Sequence, residues 1–258
     1  MIASIEGALV NQNRRRAEIP LLGALILADP SHRLVEPTLR DIVSDDWSIS
    51  ELFGQSHISL DRVTWTPELT HTVEEKIQRD KYHDYEWYWV SKALRLPSLK
   101  ARMIDSMKAG EGLTFWSADG LAEFWGKSDP EVASAFRELL SASSSAIAEA
   151  AENLPTMIDD ASLTRSAILK ALGDKPHDTR FLLRALRRLG LAGDDEAFKA
   201  ALDASNPTRR SLYDDNWREE MIRTFGTRPE IRELARAGPG RDQRVQLRVL
   251  GACRITAD

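Results

Sequence analysis

The sequence predicts an all-α fold, an α-solenoid of stacked antiparallel helix pairs, and three observations lead there. Almost every segment bounded by Gly, Pro or an Asp doublet repeats its apolar residues at helical spacing, and none alternates apolar with polar residues long enough for a strand. Three helix ends follow one plan: LAEFWGKSDPEV at 121–132, ILKALGDKPHDT at 168–179 and MIRTFGTRPEIR at 221–232. Each is an amphipathic end, a Gly, a short polar step and a Pro that opens the next helix. The corner glycines, Gly126, Gly173 and Gly226, stand 47 and 53 residues apart. The first interval meets the upper edge of the ~40–47 residues of HEAT/armadillo-like units, and the second needs an insertion, placed in Ala204–Tyr213. Such a pair cannot bury its apolar face alone, so neighbours must stack.

In chain order, the predicted helices begin with Ile5–Gln12 and Glu18–Leu27, the second holding the apolar run LLGALILA that stops at Asp29-Pro30. Leu34–Val43 and Ser48–Phe53 follow, and Gly54–Val63 yields no element. Pro67–Arg79 and Pro97–Lys108 each open on a proline, flanking Tyr85–Leu94. Thr114–Trp125 and Pro130–Ser141 meet at the first corner, and Ser145–Asn153 leads into the connector NLPTMIDD. The remaining helices are Ala161–Leu172, Asp178–Leu189, Asp195–Leu202, Asp215–Phe225, Pro229–Ala235 and Asp242–Gly251. The acidic doublets Asp45-Asp46, Asp159-Asp160, Asp194-Asp195 and Asp214-Asp215 each precede a predicted helix, where capping and the positive N-terminal dipole favour them over metal binding. Thr227 and Glu230 have capping-box spacing.

The letters Gly-Lys-Ser at 126–128 raise a phosphate-binding loop and then fail it. Five bulky residues, not four, separate Gly120 from Gly126, no strand precedes them, and Asp129-Pro130 interrupts where the phosphate-facing helix would run. The stretch reads instead as a corner, with Gly126 at a left-handed C′ position and Asp129 or Ser128 capping the helix that Pro130 starts.

A single cysteine, Cys253, excludes an internal disulfide, and the N-terminal sequence has no secretory order of basic, apolar and cleavage segments, so a cytoplasmic location is expected. No apolar run approaches the ~20 residues that span a bilayer. The net charge of −5 hides an asymmetry: residues 1–164 carry 16 Lys and Arg against 26 Asp and Glu, and residues 165–258 carry 19 against 14. The basic residues of the second part are nearly all Arg, which grips carboxylates and phosphates with paired planar contacts.

FWSADGLAEFWGKSDPEVASAF at 115–136, with Trp116, Leu121, Trp125, Gly126, Asp129, Pro130, Glu131 and Val132, resembles the HEAT-repeat region that follows the nucleotide-binding module of bacterial NACHT-type STAND NTPases. NLPTMIDD at 153–160 and LLRALRRLGLAGDDEAF at 182–198 extend the resemblance over the second half of the chain. It implies a sensor or regulatory solenoid acting in signalling or defence. Walker motifs are absent, so the resemblance carries no ATP hydrolysis to any residue here. The expected organisation is one solenoid domain, 1–258, with a weak subdivision near 54–66. The terminal helix face of Val245, Leu247, Val249 and Leu250 lacks a polar cap, which points to a fragment of a longer protein.

Two groups are candidates for partner binding. Arg180, Arg184, Arg187 and Arg188 form a stripe opposite Leu182, Leu183, Leu186 and Leu189, extendable by Arg218, Arg223, Arg232 and Arg236 on adjacent helices. Among Tyr82, Tyr85, Trp87, Tyr88 and Trp89, residues 82, 85 and 89 share one helix face and Trp87 points elsewhere, which marks Trp87 as an exposed anchor. Burial of the rings and pairing of the arginines with neighbouring acids are the structural alternatives. His32, His57, His71, His83 and His177 are scattered without a metal-ligand spacing, and no nucleophile motif occurs. The expected function is therefore a non-enzymatic scaffold or sensor that binds a protein, without metal, cofactor or membrane. The alternative is a nucleic-acid-binding solenoid, including the DNA glycosylase-like kind, against which the acidic first part argues.

Overall fold

The structure, a computed structural model, describes residues 2, 4–5, 15–44, 52–54, 58–79, 84–110, 114–174, 179–204 and 214–236. The helices expected at Ile5–Gln12 (beyond Ile5) and Asp242–Gly251, Asp45-Asp46, Tyr82, His57, His83, His177 and Cys253 lie outside them. Every regular element among the described residues is helical and none is a strand, so the fold class is all-α. They divide into two compact units, Met1–Met103 and Ile104–Asp258. The interval 54–66 lies inside the first.

In the first unit, α1 (Arg15–Ala28) and α2 (Val35–Ser44) precede a 3-10 turn at Leu60–Arg62, followed by α3 (Pro67–Arg79), α4 (Asp84–Ala93) and α5 (Pro97–Ala109), inside which the unit boundary falls. α1 starts three residues before the predicted Glu18, so Pro20 sits inside it and supplies no N–H to the carbonyl four residues back. α2 buries Val35, Leu39, Ile42 and Val43, and α3 buries Leu69, Val73 and Ile77, the stripes their spacing predicts. α2 packs against both α1 and α3. Thr66 ties two elements: its Oγ1 accepts from Leu69 N at 3.3 Å and donates to Glu36 Oε1 at 3.1 Å.

The second unit contains α6 (Phe115–Gly120) continued by a π turn at Leu121–Trp125, then α7 (Pro130–Leu139), α8 (Ser144–Ala150), α9 (Leu154–Met157) and α10 (Ala161–Gly173). α11 (Arg180–Arg188), a 3-10 turn at Leu191–Gly193, α12 (Asp195–Ala204), α13 (Asp214–Phe225) and α14 (Pro229–Arg236) complete it. α6, α8, α10 and α12 pack each against the next, α7, α9, α11 and α13 do the same, and α14 packs against α13. The connector NLPTMIDD holds α9, a one-turn helix started by Pro155 that sequence periodicity is too short to reveal.

Caps confirm the acidic starts. Asp129 Oδ1 accepts from Glu131 N at 3.0 Å and Val132 N at 3.2 Å, Asp160 Oδ1 from Leu163 N at 2.9 Å, and Asp194 Oδ1 from Ala197 N at 2.9 Å. Arg165 holds Asp194 with two bonds of 2.8 and 3.0 Å, which keep its carboxyl below the usual range. The side chains of Asp214 and Asp215 lie outside the described residues.

The three glycine corners, in contrast, are not equivalent. Gly126 has φ 67° and ψ −176°, an extended positive-φ conformation rather than the expected left-handed helical one. Gly173 is the last residue of α10 and Gly226 has no positive φ. The next helix after Gly173 opens at Arg180, four residues past Pro176. The capping box also shifts: α14 starts at Pro229, so Arg228 rather than Thr227 precedes it. Regularity lies instead in the helix starts, because the residues before α10, α12 and α14 are 160, 194 and 228, at intervals of 34. Buried Thr164, Ala167 and Ile168 recur at that interval as Phe198, Ala201 and Leu202.

Candidate functional site

α11 buries Leu182, Leu183, Ala185 and Leu186, which turns Arg184, Arg187 and Arg188 to the opposite side. Each meets an acid from a neighbouring helix or turn. Arg184 donates through Nε to Glu220 Oε1 of α13 at 2.9 Å and through Nη1 to Glu152 Oε2 at 3.2 Å. Arg187 reaches Glu220 Oε2 at 3.3 Å, and Arg188 donates to the Glu152 carbonyl at 2.6 Å and to Glu152 Oε1 at 2.8 Å. Arg223 adds Glu220 Oε1 at 3.4 Å and Glu219 Oε1 at 2.5 Å. Burial opposes the charge on Arg184, but its bonds to Glu220 and Glu152 outweigh that and raise its pKa.

Glu220 is sealed, with its side chain 3% exposed beneath Arg184, Arg187 and Arg223. The side chains of Arg187 and Arg188 remain 40% and 42% exposed. Beside them lies an aromatic floor: Phe181 stacks on Phe115 with centroids 5.1 Å apart, Phe115 meets Trp116 at 4.9 Å, and Arg180 and Arg184 stand 5.4 and 5.8 Å from the Phe181 centroid. Asp119 of α6 accepts from Asn153 Nδ2 at 2.6 Å, and burial pushes its carboxyl above the usual range despite that bond. The arrangement presents guanidiniums suited to carboxylates, two of them beside an aromatic ring. Of the expected extension, Arg218 lies on α13 and Arg232 on α14, while the side chain of Arg236 is outside the described residues.

Trp87 requires a correction. It is 7% exposed, with the Arg102 guanidinium 5.1 Å over its ring and donating onward to the Ile77 carbonyl at 2.8 Å. The exposed ring of α4 is Tyr85, at 40%, on the face it shares with Tyr88, Trp89 and Lys92. Helical spacing separates the two faces but does not say which turns inward. The residues that sequence reading missed are Glu152 and Glu220, acids lying 32 to 36 residues from Arg184, Arg187 and Arg188, with Arg223 three residues after Glu220 as the one local signal.

Lys127, the lysine of Gly-Lys-Ser, points to Asp159 with Nζ 2.8 Å from Oδ1 and ties the corner to the connector. Among the described residues no group of His, Cys, Asp and Glu is placed to hold a metal, and no helix is long and apolar enough to cross a membrane. The chain matches no protein-family model, no curated protein and no solved structure.

Proposed function

We propose that this chain is a helical-repeat binding module of the HEAT/armadillo-like α-solenoid kind, a cytoplasmic, non-enzymatic scaffold or sensor that docks an acidic protein partner on the arginine face of α11. In the second unit each helix from α6 to α11 packs on the one two places along, which supports the repeat reading. The observation that carries the docking reading is the half-exposed pair Arg187 and Arg188, presented by a helix whose other side is fully buried. Arginine beside aromatic rings is the chemistry of interface anchors. In a NACHT-type NTPase, such a surface would be where the sensor region takes its trigger or holds the off state. The acids interleaved with the arginines favour a protein over a nucleic-acid backbone.

Arg187→Glu tests this; because it sets a second carboxylate beside sealed Glu220, thermal melts accompany it, and Arg187→Gln, which removes a single 3.3 Å contact, replaces it if the fold weakens. Fluorescence anisotropy with a Glu-rich peptide should show salt-dependent binding that Arg187→Glu abolishes. Binding of DNA in place of the peptide transfers the face to nucleic acid, and binding of neither refutes the docking role.

A further inference from the structure

We propose that Arg184 and Arg188 form a carboxylate-binding fork whose seat is filled internally by Glu152, and that an acidic side chain of the protein partner takes that seat in the complex. The inference rests on the docking role of α11 proposed above.

Glu152 lies in the turn Ala151–Asn153 between α8 and α9, and its two oxygens are divided between the arginines. Oε1 accepts from Arg188 Nη2 at 2.8 Å, and Oε2 accepts from Arg184 Nη1 at 3.2 Å. Each arginine is also held by a bond that does not involve this carboxylate. Arg184 Nε stays on Glu220 at 2.9 Å, and Arg188 Nη1 stays on the backbone carbonyl of residue 152 at 2.6 Å. Removing the carboxylate therefore leaves two N–H groups aimed at one point, a preorganised receptor.

The two acids of the network differ in what they can release. Glu220, 3% exposed and gripped by three arginines, is a structural anchor, since its buried charge depends on those partners. Glu152 is 23% exposed, belongs to a turn and meets two arginines. Exchange of its carboxylate for another conserves the ion pairs. The seat offers one N–H to each of two oxygens, which suits a carboxylate. A phosphodiester chain would bring further negative charge towards Glu220 and Asp119, the latter close enough to feel both Glu152 and Arg188.

The test titrates the full chain against a fluorescein-labelled, twelve-residue Glu-rich peptide and a labelled single-stranded oligonucleotide, using wild type, Glu152→Ala, Glu219→Ala and Arg187→Glu. Glu219→Ala makes the same change in net charge outside the seat, at the exposed partner of Arg223. Glu152→Gln replaces Glu152→Ala if the latter fails to fold. The expected result is peptide binding about tenfold tighter for Glu152→Ala than for wild type, with Glu219→Ala near wild type. Wild type that binds the peptide in an Arg187-dependent way, while Glu152→Ala binds no tighter, overturns the fork and leaves the docking role standing. Equal tightening by Glu219→Ala overturns it as a bulk charge effect, and a gain for the oligonucleotide alone overturns the carboxylate assignment. If neither wild type nor Glu152→Ala binds the peptide, the docking role fails with it.

Discussion

Replacing Gly126 by alanine isolates a backbone effect, because the corner has room for the added methyl group but not for the backbone conformation alanine would have to adopt. A Cβ built on Gly126 meets only the Ala122 carbonyl oxygen, at 3.6 Å, an ordinary contact. The backbone angles, φ 67° and ψ −176°, belong to a region that glycine alone enters without strain. The expected loss is therefore about 1–3 kcal/mol, all of it conformational. Gly173→Ala is the control: it ends α10 at an unremarkable φ with nothing within 4 Å of the new Cβ. Alanine there should stabilise by roughly 0.5–1 kcal/mol through helix preference and a less flexible unfolded chain. Equilibrium urea unfolding, read at constant m, gives both values. A Gly126→Ala midpoint equal to wild type, or a Gly173→Ala protein weakened as much as Gly126→Ala, would refute the assignment of the strain to this corner. Lys127→Ala in the same series should leave the midpoint where it is, since its partner Asp159 is solvated.

Glu220→Ala should cost about 1–3 kcal/mol in the same assay, because Arg184, Arg187 and Arg223 lose a shared carboxylate while remaining partly solvated, and Arg184 and Arg223 keep Glu152 and Glu219. Trp87→Ala should cost about 3–5 kcal/mol as a buried ring, while Tyr85→Ala, on the exposed face of α4, should cost far less. Asp194 is held in its ionised form chiefly by Arg165 and also by the Ala197 N–H, so its stabilisation is complete above the ordinary carboxylate range and is lost as pH falls through its lowered pKa. Arg165→Met should accordingly move the midpoint of acid unfolding to higher pH. Asp119 has the opposite sign: burial raises its pKa, so folding is weakened as pH rises from the ordinary value through the raised one. Asp119→Asn, measured by urea midpoints, should gain on wild type as pH rises above the ordinary carboxylate value and show no gain below it.

The helices were legible because their chemistry is local: an aspartate one residue earlier marks the starts of α7, α10 and α12, and at α7 a proline at the first position adds to it. The π turn at Leu121–Trp125 was not, since its residues keep an ordinary amphipathic pattern while the bond from Gly126 N to the Leu121 carbonyl skips one more residue than an α-helix allows. The likeness of the glycine corners in sequence does not carry into structure, because Gly126 turns the chain at positive φ while Gly173 ends a helix. The arginine stripe was readable from i, i+4 spacing, whereas its seating on Glu152 and Glu220 depends on which helices become neighbours. Trp87 failed for a related reason: its cover, Arg102, comes from α5.

The polar ties between helices of the second unit, from Arg165 with Asp194 to Thr224 with the Leu183 carbonyl, join residues 29 to 41 apart. Loop-closure entropy grows with the logarithm of length, so ties of this span differ by only a few tenths of a kcal/mol in what closure costs. Ties this local in sequence favour rapid folding. At synthesis rates of ~5–20 residues per second, a ribosome completes one 34-residue interval in roughly 2–7 s. Each helix start is thus followed within seconds by the segment that fastens it, and the nascent chain can secure one interval before the next has been made.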